Sequence, residues 1–123
     1  MPSIVVIDDD PQTCDLLRIM LEPMGLKVYT APGSNEGFHL VQQVQPEIVL
    51  VDLLLPLGLG VDGWQFIATI KSNADLRHIR ALAITAVHSP DSKRRAFEAG
   101  CDDFIPKPFQ LSDLRKKVQK FLS

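Results

Sequence analysis

The chain has 123 residues, 46% of them hydrophobic and 23% charged, with a formal net charge of −2. One domain of that length buries about two-thirds of its unfolded surface and leaves no room for a second; the composition excludes disordered and fibrous classes, and the charge gives no general pull towards nucleic acid. The apolar runs fall short of the ~20 residues a bilayer requires, and Met1-Pro2-Ser3 leads into a strand without a signal sequence, so a cytoplasmic protein with no membrane partner is expected.

In chain order, Ile4-Val5-Val6-Ile7 is an apolar run stopped by Asp8-Asp9-Asp10. Asp10 reads as an N-cap and Pro11 as the first helical residue, where its missing N–H costs nothing. Cys14, Leu17, Leu21 and Met24 then recur at helical spacing, predicting a helix from Pro11 to Met24 with Pro23 in its last turn and Gly25 behind it. Leu26 to Thr30 predicts a strand and Ser34 a cap. Gly37, Leu40, Val41 and Val44 form the inner stripe of a helix that ends before Pro46. Ile48-Val49-Leu50-Val51 follows, uniformly apolar as a parallel strand buried on both faces should be, and it ends at Asp52. Leu57 to Gly63 is a glycine-rich loop feeding a helix marked by Phe66, Ile67 and Ile70, with Trp64 at the junction.

Arg80 to Thr85 is the next strand, with Ser89-Pro90 starting a helix that Gly100 closes. Asp103-Phe104-Ile105 is a brief last strand. Leu111, Leu114, Val118, Phe121 and Leu122 line a terminal helix. Five strands alternating with five helices across short connections predict an α/β fold, a doubly wound parallel sheet with helices on both faces. Cys14 and Cys101 lack metal-ligand spacing and are read as small buried apolar residues; His39, His78 and His88 share no spacing and are read as surface residues. The basic groups Lys93-Arg94-Arg95 and Arg115-Lys116-Lys117 read as solvated helix faces, not nucleic-acid contacts.

Ligands gather at the carboxyl ends of strands in open α/β sheets. Here those ends carry Asp8 and Asp9, Asp52, Thr85 and Lys107. Three carboxylates crowded on one edge repel one another, a pair at 4 Å costing about 4 kcal/mol at an effective dielectric near 20. An all-oxygen set with room left for water suits Mg²⁺ as the compensating cation. A metal, an ammonium and a hydroxyl around one carboxylate are the parts that stabilise a transferring phosphoryl group, with Asp52 as in-line nucleophile.

The ordered set Ile7-Asp8-Asp9-Asp10, Val51-Asp52-Leu53, Ile84-Thr85-Ala86 and Lys107-Pro108-Phe109 resembles the CheY-like receiver domain of two-component response regulators, over essentially the whole chain. The resemblance implies a flavodoxin-like (βα)5 fold, with Asp52 as phosphoacceptor, Asp9 as direct Mg²⁺ ligand and Asp8 as ligand through water. Leu54 would give its backbone carbonyl to the metal, Thr85 and Lys107 would contact phosphoryl oxygens, and Thr85 and Phe104 would be switch residues. A cis Lys107-Pro108 bond is also implied. On this reading residues 1–123 are a stand-alone receiver without an output domain, a phosphoacceptor that assists its own modification but is not an enzyme. A sensor histidine kinase or histidine phosphotransfer protein would donate to Asp52. Phe104 would then turn inward, and the helix after Thr85, the last strand and the final helix would present a changed face to a downstream protein. The molecule would be a monomer or a weak, phosphorylation-dependent dimer.

Two departures stand out. Five residues, Leu57 to Val61, separate Pro56 from Asp62-Gly63 where the family has two, and the leucines of this longer loop would cover the phosphosite or meet a partner. Leu54 and Val87 are apolar where relatives with fast dephosphorylation carry side chains that orient water, so a long-lived acyl phosphate is expected. The alternative reading is a phosphorylation-independent, receiver-like binding module. An aspartyl-phosphate phosphatase is disfavoured because it would want an acid where Leu54 stands.

Overall fold

Parallel strands cannot be joined by a tight hairpin, so each apolar run in this chain is followed by a helix that carries the backbone to the start of the next. The computed structural model, which describes residues 1–122, shows this alternation throughout. The strands are β1 (Ser3–Ile7), β2 (Lys27–Ala31), β3 (Ile48–Asp52), β4 (Arg80–Thr85) and β5 (Asp103–Pro106). The helices are α1 (Pro11–Leu21), α2 (Ser34–Val44), α3 (Gly63–Ser72), α4 (Pro90–Ala99) and α5 (Leu111–Lys120). All strands are parallel, in the order β2-β1-β3-β4-β5.

The side-chain period of two divides the core into two layers. Val5, Ile7, Val49, Val51, Ala81 and Ala83 pack with Val41, Phe66, Ile67, Ile70 and Ala96 from α2, α3 and α4. Ile4, Val6, Ile48, Leu50, Leu82 and Ile84 pack with Leu17, Leu21, Leu114 and Val118 from α1 and α5. Ile48 through Val51 are all 0% exposed, which is why β3 lacks any polar alternation. Each such side chain contributes about 1.5–3 kcal/mol by leaving water.

The element boundaries depart from expectation where a local constraint intervenes. The α-helical part of α1 stops at Leu21, and Glu22–Met24 tighten into a 3-10 turn around Pro23, which has no N–H to continue the ladder. Gly25 then reverses the chain at φ 84°. Strand β2 lies one residue later than predicted, and β5 runs on to Pro106. Gly33, not Ser34, caps α2. Ser34 is the first helical residue and faces inward with Gly37 and Val41, while Leu40 and Val44 are half-buried. Of the stripe predicted for α5, Leu114 and Val118 are fully buried and Leu111 is exposed. Both cysteines are free and buried, burial pushing the Cys14 thiol up to about 11 and the Cys101 thiol up to about 12. All three histidines are exposed.

Two glycines separate steric from conformational cost. A Cβ on Gly63 would lie 2.3 Å from the Asp52 carbonyl oxygen and 2.5 Å from Leu53 Cα, both backbone atoms with nowhere to go. One on Gly25 would meet nothing within 4 Å and suffers only from the left-handed φ. Gly63→Ala is therefore expected to cost about 3 kcal/mol, and Gly25→Ala about 1 kcal/mol. Urea unfolding followed by far-UV circular dichroism should show the two midpoints shifted in that order with unchanged slopes.

Candidate functional site

The sheet register brings the expected residues to one edge. Ile7 pairs with Val51, so Asp8 and Asp52 follow on neighbouring strands at the same height. Thr85 pairs with Pro106, which places Lys107 one residue beyond the edge, and the Lys107 amide donates to the Thr85 carbonyl at 2.8 Å. The Lys107-Pro108 bond is cis, as expected.

The Lys107 ammonium donates to Asp8 Oδ2 at 2.7 Å and to Asp52 Oδ2 at 3.1 Å. The other oxygen of each carboxylate is held by a backbone amide two residues on: Asp10 N–H donates to Asp8 Oδ1 at 2.9 Å and Leu54 N–H to Asp52 Oδ1 at 3.0 Å. Both aspartates thus close the same local turn, which fixes their rotamers before any ligand arrives. Cys14 Sγ adds a weak donor to the Asp8 carbonyl at 3.4 Å, so this small side chain also props the site.

Asp8 and Asp52 are buried and Asp9 is exposed. Burial pushes the Asp8 carboxyl above its ordinary range, outweighing the Lys107 and Asp10 bonds that pull it down. Burial opposes the Lys107 charge too, but the bond to Asp8 and the two carboxylate charges hold its ammonium above the ordinary lysine range. Asp8, Asp9 and Asp52 each bring a carboxylate oxygen within 4.8 Å of the others. A compact all-oxygen set containing a carboxyl destabilised by burial fits a hard divalent cation.

Thr85 is fully buried, and its Oγ1 accepts the Val87 amide at 3.2 Å. The hydroxyl proton remains available for donation. Leu54, expected to offer its carbonyl, is tied to Asp52 through its N–H and has its side chain 52% exposed. Phe104 is 4% exposed and packs in the layer of α2, α3 and α4, with its carbonyl held by Lys117 Nζ at 2.5 Å. Phe104 is thus buried in this structure, the position expected of it only after phosphorylation.

The lengthened loop is not loose. Leu57–Leu59 form a 3-10 turn, Leu59 lies against Gly33, and Val61 N–H donates to Ser34 Oγ at 2.6 Å. The loop thus leans on the start of α2, with Leu57 74% exposed. Nor does Trp64 face the acidic cluster: its indole N–H donates to the Ser92 carbonyl at 3.2 Å and its ring lies 4.1 Å from the Arg95 guanidinium, so Arg95 is no freely solvated charge. Sequence reading missed Ser34 as a tertiary acceptor and passed over Ser92. Another serine three residues after the cap Ser89 was the available signal for the second, and the structure shows it buried.

The family model of the response regulator receiver domain matches residues 4–119. The chain is 34% identical to the DNA-binding dual master transcriptional regulator RpaA of Synechocystis over 99% of its own length and 49% of that protein. It is 32% identical to an uncharacterized 14.6 kDa protein in the sodA1 3′ region of Leptolyngbya boryana, over 97% of this chain and 88% of that one. The signal receiver domain of a DNA-binding response regulator from Colwellia psychrerythraea superimposes with a TM-score of 0.89 at 27% identity, covering 98% of this chain and 97% of that one. The chain spans about half the length of RpaA. It belongs to the response regulator receiver domain family, with the fold the sequence predicts.

Lys107→Met removes the cation shared by Asp8 and Asp52. Breaking a buried pair costs 3–5 kcal/mol, and the partial exposure of Lys107 reduces the expected loss to about 2 kcal/mol. Excess MgCl2 should raise the urea midpoint of the variant more than that of the wild type, because carboxylates without an ammonium bind a divalent cation better.

Proposed function

We propose that this receiver domain accepts a phosphoryl group on Asp52 from a phosphohistidine of a sensor kinase or histidine phosphotransfer protein, and passes the signal to a protein partner. The observation that carries this reading is the Lys107 ammonium lying on both Asp8 and Asp52, with the Thr85 hydroxyl at the same sheet edge. A carboxylate so placed is a rigid nucleophile with a mobile cation beside it.

In the transfer, an Asp52 carboxylate oxygen attacks phosphorus in line and the phosphorus–nitrogen bond breaks. The electron pair leaves on the imidazole nitrogen. Lys107 moves from the Asp52 oxygen to an oxygen of the incoming group, so its charge follows the charge being transferred. Thr85 donates its free hydroxyl proton to another phosphoryl oxygen. Asp8 and Asp9, with Asp52, would hold Mg²⁺, which when bound neutralises phosphoryl charge. The acyl phosphate carries about one more negative charge than the carboxylate it replaces, together with new acceptor oxygens, and these bias the loops that flank the edge. No helix among the described residues is long and apolar enough to cross a membrane. A cytoplasmic setting is part of the proposal.

Incubation with acetyl phosphate and MgCl2 should add one phosphoryl group by intact mass to the wild type and none to Asp52→Asn. An unmodified wild type under conditions that load a control receiver refutes the reading, and signalling unaffected by Asp52→Asn would favour a phosphorylation-independent module. The side chains of Leu54 and Val87, 52% and 38% exposed beside the site, offer no polar group to orient water. The acyl phosphate should therefore persist for minutes or longer after donor removal. Decay within seconds would contradict this.

A further inference from the structure

The turn between β4 and α4 carries a chain of hydrogen bonds that begins at the site and ends on another helix. Thr85 Oγ1 accepts the Val87 amide at 3.2 Å. The Val87 carbonyl in turn accepts the Ser92 hydroxyl at 2.9 Å, a proton shared with the Ser89 carbonyl at 3.0 Å. The Ser92 amide is fixed by the Ser89 cap at 3.2 Å, and the Ser92 carbonyl accepts the Trp64 indole N–H at 3.2 Å. Ser92 is 5% exposed and anchors the chain from within, while Val87 and Ser89 lie at the surface of the turn.

When the Thr85 hydroxyl turns, its oxygen leaves the Val87 amide, and the turn at Val87 shifts as that amide finds another acceptor. A displacement of Val87 is felt at both ends, because its amide is bonded to Thr85 at 3.2 Å and its carbonyl to Ser92 at 2.9 Å. Ser92 holds that carbonyl with its side chain and the Trp64 indole with its backbone. No other residue among those described joins the turn to α3 in this way.

We propose that Ser92 is a positioning residue: through Val87 it sets the Thr85 hydroxyl for the phosphoryl group, and through Trp64 it reports the state of Asp52 at the seam between α3 and α4. The proposal rests on the phosphoacceptor reading above. Trp64 is the only tryptophan, so its emission reads the far end of the chain directly.

The test loads the protein with acetyl phosphate and MgCl2 while following intact mass and Trp64 emission together. The wild type should gain one phosphoryl group and change its emission in step. Ser92→Ala should load about fivefold more slowly, the worth of one hydrogen bond, and lose most of the emission change at full loading. Ser92→Thr, which keeps a hydroxyl, should restore both. Either a wild-type loading rate or a wild-type emission change in Ser92→Ala overturns the proposal. So does flat emission in a fully loaded wild type. If Ser92→Ala fails to fold by circular dichroism, Thr85→Ala decides: carried to full loading it should show no emission change, and a retained change overturns the proposal. A wild type that gains no phosphoryl group refutes the phosphoacceptor reading itself, and this inference falls with it.

Discussion

The ammonium of Lys107 between Asp8 and Asp52 is the interaction the edge of the sheet depends on. Register puts these carboxylates side by side on β1 and β3, and Asp9 joins them within 4.8 Å. Like charges that close oppose folding unless a cation intervenes. Lys107 supplies one from just beyond β5, two strands away from β3, while burial still holds the Asp8 carboxyl above its ordinary range. Three carboxylates against one ammonium leave an excess of negative charge at this edge that suits a divalent cation.

The rest of the fold serves to hold that imbalance in place. Strands whose residues are fully buried on both faces allow no sliding, because a one-residue slip would move each core side chain to the opposite layer. Local turns then hold the carboxylates at the strand ends, each with an amide two residues ahead. The Gly63 backbone packs directly on the Asp52 carbonyl, so α3 starts in contact with the strand that carries Asp52. Precision at the edge is therefore set by backbone contacts, which resist distortion better than long side chains do.

Much of this was legible in the sequence, for a physical reason. Parallel strands buried on both faces are apolar without alternation, so Ile4–Ile7, Ile48–Val51 and Ala81–Ile84 announce themselves, and a polar residue that breaks the run must sit at the edge. What was illegible involves residues whose type suits two jobs. Ser34 has the chemistry of a helix cap, yet its hydroxyl serves the backbone of a loop 27 positions on. Trp64 lies next to the glycine-rich loop in sequence, but a helix start rotates successive side chains apart, and its ring goes to α4. Phe104 suits a core and a switch equally, and the packing layer it joins is set by strand pairing no local pattern encodes.

The two loops beside Asp52 are built with different stiffness, and that difference gives a direction to any change at the site. On the β3 side, Leu53 and Leu55 are buried, Val61 is bonded to Ser34, and the longer loop ties α3 to the start of α2. On the β4 side, Ala86 through Pro90 are all exposed, and the turn is held by the hydroxyls of Thr85, Ser89 and Ser92. Exposed backbone held by a few side-chain bonds opens at lower free energy than a segment anchored by buried leucines. Charge added to Asp52, as proposed above, would therefore displace the β4–α4 turn before the β3–α3 loop. The extra residues after Pro56, by bracing α2 against α3, remove one route for the movement and leave α4 as the element that yields.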